Sequence, residues 1–439
     1  MTGGPGFARL VPLGGPAAAT AAGAKAARLS AALRAGLPVL PGWVVPCAQA
    51  RAATRAAAAA VRRGEVAAAR RAALSCPLDP GLGSELAAAV TALGGRVVVR
   101  SSSPLEQDPC WSGAFSSIAE VGPAEAATAV RSCWAAAFAA DPLARLASCG
   151  LAPEALELGV VIQPELIPDA GGTARVVAPA RAGRGGDIEV EVEAVTGHPG
   201  PLLAGWAEGA CARLPVPAAA AVGPAVPPRQ RSRRAVGAAL AGLIGPRLAW
   251  AAADLAARVH RLLGDDTIEW AAKDGEVWLL QSAAGLRRPE AAAAGPAAAA
   301  VPERIERLAA RHWMPLLAAA VRARGHVLYG RPAAAGTAAG RLVACRPHQR
   351  AAASWRDAIL LVDRPLPALA PLLFGARGLI ARSGAAGSHL AEVARSLAVP
   401  MVTGCQVQAV IDGGTPGLPG ACWLAAIDGT TGEVALLPG

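Results

Sequence analysis

The tract PEAAAAGPAAAAVPE at 289–303 sets the first limit on what this chain can fold into. It offers almost nothing large to bury, and its prolines remove backbone donors, so it reads as an interdomain linker. Patterned sequence flanks it on both sides. The chain therefore closes at least two separate cores, and its 439 residues suffice for two or three domains. A second tract, LPVPAAAAVGPAVPP at 214–228, is apolar and uncharged, but its prolines rule out a membrane-spanning helix.

Those cores must be built from small residues. Hydrophobic residues make up 53% of the chain, much of it alanine, while aromatics are 3% with a single tyrosine. Leu, Val, Ala and a few Trp have to fill the interior. The net charge of +10 is almost all arginine, for lysine occurs only at 25 and 273. The densest basic cluster, RQRSRR at 229–234, lies beside the proline-rich tract and has no aromatic residues interleaved for base stacking, so a nucleic-acid partner is set aside. Nine cysteines without a CxxC or zinc-ligand spacing point to reduced thiols and a cytoplasmic setting. The start, MTGGPGFARLVPLGG, lacks the charged and apolar regions of a signal peptide.

Residues 22–45 read as a helix, a glycine stop, a proline-rich turn and a strand. Strand, polar loop and strand follow at 96–121, a buried strand at 156–167, a half-exposed strand at 187–197, and a hairpin across KDGE in 266–282. Helices are expected within 304–330. Beyond about 337 the pattern turns to short apolar runs: AILLVD and GLIARS as buried strands, SHLAEVARSLA as a helix with Ser388 as N-cap, then further strands to the end. The class is α/β (α+β), in two lobes plus a tail domain.

Several residues carry chemistry in this setting. Lys25 survives in a chain that otherwise uses arginine, which points to a site wanting a compact point charge, such as a phosphate contact. Arg100 leaves a buried strand into SSS, where a guanidinium suits phosphate oxygens; the alternative is a structural ion pair with Glu106 or Asp108. Glu269 and Gln281 face each other across the hairpin, with the carboxylate suited to Mg²⁺. His389 sits on a glycine-rich turn directly before a helical-looking run, where it is core filler, a ligand or a residue that does chemistry. Arg395, two turns on, either adds charge there or is solvated. The histidines at 198, 260, 312, 326 and 348 show no motif and read as structural.

Taken in order, AGAKAARLSAALRAGLPVLPGWVV, VVVRSSSPLEQDPCWSGAFSSI, VVIQPELI and IEWAAKDGEVWLLQS resemble the ATP-binding domain of the phosphoenolpyruvate synthase, pyruvate phosphate dikinase and rifampicin phosphotransferase family. GLIARSGAAGSHLAEVARSLAVPMVTG resembles that family's swivelling phosphohistidine domain. The resemblance implies a two-lobed ATP-grasp-type domain at 1–285, an Ala/Pro linker with helices at 286–336, and a compact phosphohistidine β/α domain at 337–439. It implies that Lys25 and Arg100 hold ATP phosphates, that Gln163 and Glu165 sit near the adenine hinge, that Glu269 binds Mg²⁺, that Gln281 contacts phosphate or metal, and that His389 carries the phosphoryl group.

The chain departs from the family pattern at named positions. Thr267 stands where the family has an Asp two residues before the metal Glu, with Asp265 and Asp266 close by. Gln-x-Arg becomes Gln281-Ser282-Ala283, leaving Arg287 or Arg288 as possible replacements. Gly-Leu-Gly-Glu becomes Gly197-His198-Pro199-Gly200, and the hydroxyl residue two before the histidine becomes Gly387. The short span at 286–336 has no room for the family's usual acceptor module. Two expectations follow. One is an ATP-dependent phosphotransferase working through His389, releasing AMP and phosphate, its acceptor a small molecule or a group on a separate protein. The other is a degenerate family member that binds nucleotide or a partner without turnover. Neither calls for a membrane.

Overall fold

The computed structural model describes residues 9–179, 188–217, 236–284, 326–345, 355–407, 410–411 and 423–438. The basic cluster at 229–234, His312, His348, Arg287, Arg288 and residues 286–325 lie outside the described residues, while 326–336, expected within the linker and its helices, carries two strands instead. Contacts divide the chain into two compact units, Met1–Pro199 with Gly209–Gly285, and Gly200–Glu208 with Leu286–Gly439.

The first unit holds two sheets. Its first lobe runs β1 (Val11–Pro12), α1 (Pro16–Ala21), α2 (Gly23–Arg34), β2 (Trp43–Val45), α3 (Cys47–Arg62), α4 (Val66–Ser75), α5 (Pro80–Ala92), β3 (Val97–Ser102), β4 (Ser117–Val121), α6 (Ala126–Ala136), α7 (Ala140–Ser148) and β5 (Gly159–Pro164). The sheet order is β1-β2-β5-β3-β4, antiparallel throughout. The alanine-rich composition is put to use here. Ala50, Ala53, Ala57 and Ala60 recur at helical spacing on α3, and Ala69 and Ala73 on α4; all are buried. Side chains this small let helix backbones approach closely. Trp111, Trp134 and Phe138 fill the wider space between these helices and the sheet.

The second lobe comprises β6 (Ala170–Pro179), β7 (Ile188–Thr196), β8 (Ala210–Val216), α9 (Ala238–Leu263), β9 (Thr267–Lys273) and β10 (Glu276–Ala283), in the antiparallel order β10-β9-β6-β7-β8. The short helix α8 (Gly200–Leu203) groups with the second unit. The expected hairpin forms across KDGE, with Lys273 opposite Glu276 and both turn residues at positive φ, Asp274 at 52° and Gly275 at 82°. Alternation on β7 sends Val190, Val192 and Ala194 into a core shared with α9 and Trp270. Helix α2 buries Ala26 and Leu29 in that same core, so it links the lobes.

In the second unit, β11 (His326–Tyr329), β12 (Arg331–Ala334), β13 (Thr337–Ala344), β14 (Ile359–Val362), α10 (Ala370–Leu373), β15 (Gly378–Ala381), α11 (His389–Ser396), β16 (Met401–Thr403), β17 (Trp423–Asp428) and β18 (Glu433–Pro438) build one mixed sheet. Its order is β11-β18-β17-β13-β14-β15-β16-β12, and the stretch β13-β14-β15-β16 is parallel. Strands β14 and β15 are fully buried, which explains the continuous apolar runs ILLV and GLIA. Leu390, Ala391, Val393 and Ala394 of α11 pack into this core.

The described cysteines are all free thiols. Burial pushes the Cys47 thiol up to about 12, with Glu157 adding to the shift, and the Cys133 and Cys405 thiols up to about 11. No described helix is long and apolar enough to cross a membrane.

Candidate nucleotide and phosphohistidine sites

Strand β3 delivers the first cluster. Val97 and Val99 point into the helical core of the first lobe, so Arg100 points to the other face, beside its register partner Val161. The chain then meets the start of α2. Gly23, at φ +83°, lies so close to β3 that an added Cβ would fall 2.4 Å from the Ser102 carbonyl oxygen. This approach lets the end of β3 cap α2. The Ala26 N–H donates to Ser102 Oγ at 3.0 Å and the Ala24 N–H to the Ser103 carbonyl at 3.0 Å. Gly23→Ala is expected to cost about 2–4 kcal/mol, from the left-handed backbone and the backbone collision together. Gly36 also has positive φ, at 70°, but has nothing within 4 Å of the added Cβ, so Gly36→Ala should cost far less. Urea unfolding of the two variants measures the difference, and equal costs would refute the close-approach argument.

With α2 so placed, Lys25 is buried, its Nζ donating to the Ser101 carbonyl at 2.8 Å and to Glu106 Oε1 at 3.1 Å. The other Glu106 oxygen accepts from the Ser103 N–H at 2.9 Å. Glu106 is thus Lys25's partner. Arg100 has a different one: its guanidinium donates to the Leu280 carbonyl at 2.6 Å and to Gln281 Oε1 at 3.3 Å, and lies 3.9 Å from Glu269. Burial pulls the Arg100 pKa down, while Glu269 and then Glu106 oppose the shift.

Across the second sheet, register places Gln281, Glu269, Thr173, Glu193 and Cys211 in one row, one residue from each strand. Glu269, Thr173 and Glu193 are all buried. Thr267 shares the face of Glu269 on β9, but the nearby acids do not join it. Asp265 accepts from Ser282 Oγ at 2.5 Å, and Asp266 lies 2.6 Å from His260 Nδ1.

Back in the first sheet, Gln163 shares the Arg100 face, opposite Val98, and its amide donates to the Leu40 carbonyl at 2.9 Å. Glu165 follows at the end of β5, bonded to Arg96. The structure therefore brings Arg100, Glu269 and Gln281 together, with Lys25 held at the carbonyl of Ser101, the next residue of β3, and with Gln163 on β5 and Glu165 just after it. His389 belongs to the second unit.

Two residues of the first unit were not legible as site members. Arg28, one turn beyond Lys25, donates to the carbonyls of Glu106 at 3.3 Å, Gln107 at 3.4 Å and Ser282 at 3.5 Å, and lies 3.9 Å from Asp265. This guanidinium stands next to Ala283, where the resembled family carries one. His198, read above as structural, lies in the field of Arg100, Glu269 and Glu165. Desolvation first, and Arg100 second, lower its pKa and favour the neutral ring. Only the departure of Gly197-His198-Pro199-Gly200 from the family pattern hinted at it.

In the second unit Ser388 is the N-cap of α11, its Oγ accepting from the Ala391 N–H at 3.4 Å. His389 is the first helical residue. Its side chain is 18% exposed, and Nδ1 lies 3.7 Å from Glu392 Oε2. Arg395 neither faces solvent freely nor lends bare charge. Its guanidinium donates to the carbonyls of Ala333 at 2.8 Å and Ala386 at 3.1 Å, fixing the turn before His389.

The chain thus holds a two-lobed domain in which cations meet a carboxylate and an amide, and a separate mixed-sheet domain with a histidine at a helix start. Residues 19–205 match the pyruvate phosphate dikinase AMP/ATP-binding domain, and residues 355–432 match the mobile domain of PEP-utilising enzymes. Both are domains of the phosphoenolpyruvate synthase and pyruvate phosphate dikinase type, and their order in this chain is consistent with that family. No curated protein matches it. A solved structure of holo-form aconitase X from Thermococcus kodakaraensis is similar over 26% of this chain and 99% of that chain, at 19% identity and a TM-score of 0.19, too slight a likeness to inform the site.

Proposed function

We propose that this chain is an ATP-dependent phosphotransferase in which His389 accepts a phosphoryl group from ATP and passes it to an acceptor, with AMP and phosphate released. The acceptor is a small molecule or a group on a separate protein. The observation that carries this reading is that Arg100, inside the matched AMP/ATP-binding region together with Lys25, meets Glu269 and Gln281 of the hairpin that follows that region, in one chain with a matched mobile domain that holds His389 at a helix start.

Lys25, Arg28 and Arg100 would neutralise and orient the phosphates, which is most of what phosphoryl transfer asks of a protein. Gln163 and Glu165 would border the adenine. Magnesium fits the donors at hand. Glu269 and Gln281 are register partners offering a carboxylate and an amide oxygen, the hard ligands this ion takes together with phosphate oxygens and water. Among the described residues no three His, Cys, Asp or Glu gather into a metal cage, so nucleotide and water would complete the shell. Bound there, the ion would screen the phosphate charge.

A second reading, nucleotide binding without turnover, draws on Lys25. It is buried and already paired with Glu106 and the Ser101 carbonyl, so a phosphate would compete for its charge.

Intact mass after incubation with Mg-ATP decides between them. The first reading expects an acid-labile gain of one phosphoryl group, with AMP released, in the wild type and none in His389→Ala. Failure of both proteins to gain mass while ATP binds establishes the second.

A further inference from the structure

Resting on the phosphohistidine reading of His389, we infer that Glu392 is the positioning residue for that histidine. It holds the ring proton on Nδ1, places the lone pair on Nε2, and faces the positive charge that forms on phosphorylation.

The argument starts from burial. Helix α11 is only eight residues long, and its other buried positions are Leu390, Ala391, Val393 and Ala394. Glu392 is 8% exposed among them. A carboxylate that enclosed is costly without compensating partners. The His389 ring is one of them, since residues three apart on a helix share a face. The contacting atom is Nδ1, at 3.7 Å, with the two side chains 18% and 10% exposed. A first-turn carboxylate also gains from the helix dipole, but that gain is available at the surface and does not call for burial beside the imidazole.

The chemical consequence follows from the tautomer. With the proton held on Nδ1, Nε2 carries the lone pair that forms the P–N bond. The bond from phosphorus to its leaving group breaks, and the leaving group departs with that electron pair. The Nδ1 proton stays, so the ring becomes a cation opposite Glu392. A carboxylate that orients a histidine and stabilises its imidazolium is a general device of histidine chemistry.

The test uses the full chain labelled with ¹⁵N-histidine, with the His389 signals assigned by their loss in His389→Gln. Long-range ¹H–¹⁵N correlation is expected to show the proton on Nδ1. The chain is then phosphorylated separately with Mg-ATP and with phosphoramidate, which donates to histidine without a nucleotide site, and ³¹P NMR identifies the nitrogen. The expected product is the Nε2 isomer with either donor. Glu392→Ala should slow phosphorylation by phosphoramidate roughly 10–100-fold and yield a mixture of isomers, while Glu392→Gln, which keeps an acceptor oxygen, should retain the isomer and lose part of the rate. A wild-type ring protonated on Nε2, a phosphoryl group on Nδ1, or a Glu392→Ala variant that loses thermal stability yet keeps rate and isomer would each overturn the inference. A chain that is inert to Mg-ATP but takes phosphoramidate on Nε2 refutes turnover of ATP and leaves the Glu392 role supported.

Discussion

Replacing Arg145 with methionine is expected to lower the melting temperature of the first unit by roughly 6–15 °C, from a loss of about 3–5 kcal/mol. The Arg145 side chain has no exposure. Its guanidinium grips Asp141 with both arms, Nε to Oδ1 at 3.1 Å and the terminal nitrogen to Oδ2 at 2.9 Å. The remaining arm donates to the carbonyls of Cys110 at 2.8 Å and Ser112 at 2.9 Å. Methionine fills similar volume but strands a carboxylate and two carbonyls in the interior. Burial already holds the Asp141 carboxyl above its ordinary value despite the guanidinium, so this pair is costly to keep and costlier to break. The double variant Arg145→Met with Asp141→Leu should recover most of the loss, because no charge is left behind. Calorimetric melting of the three proteins is the measurement. A single variant that melts like the wild type would show that the clamp contributes nothing. The effect also reaches the site. The carbonyls held by Arg145 belong to the loop that follows Glu106, the partner of Lys25, so the single variant should loosen nucleotide binding as well.

Asp141 and Arg145 also show where sequence reading stops. On paper they are an i,i+4 pair on an alanine-rich helix, indistinguishable from a solvated face. Only the loop folding over α7 buries them, and no periodicity encodes that. Legibility was good where one local rule governed. The Asp274-Gly275 turn specified its hairpin, the hairpin put Gln281 opposite Glu269, and Ser388 before an apolar helical pattern marked the start of α11. Lys25 stood out because the chain so rarely uses lysine. Partners were not legible. Arg28 meets Ser282 across 254 positions, and Glu106 turned out to face Lys25 while Arg100 faces Glu269. Alternation made Glu193 look solvent-facing like Glu191. Yet Glu191 is held by Arg175 and Arg213 nearer the sheet margin, whereas Glu193 is buried in the row with Thr173 and Glu269.

Arg100→Ala is expected to reduce ATP-dependent phosphorylation of His389 by about 10²–10³-fold, the usual effect of losing one preorganised contact to developing charge. The structural reason lies in a bulge. The β10–β9 register shifts between Leu279 and Gln281. On one side of that break the Leu279 N–H leaves the hairpin for the Pro38 carbonyl at 2.8 Å, and on the other the Leu280 carbonyl accepts from Arg100 at 2.6 Å. Bulges re-aim side chains beside functional sites, and this one turns Gln281 toward Arg100 and Glu269. The guanidinium therefore does two jobs: it ties the hairpin of one lobe to β3 of the other, and it sets a positive charge 3.9 Å from Glu269. Alanine removes both. Arg100→Lys restores charge but not the planar fork, so it should recover only part of the rate. Phosphorylation by phosphoramidate needs none of this machinery and should proceed in all three proteins at one rate. Parallel rate measurements with the two donors separate the cases. Equal rates with Mg-ATP across wild type, lysine and alanine would remove Arg100 from the nucleotide site. A loss with both donors would mean that the alanine variant had damaged the fold rather than the chemistry.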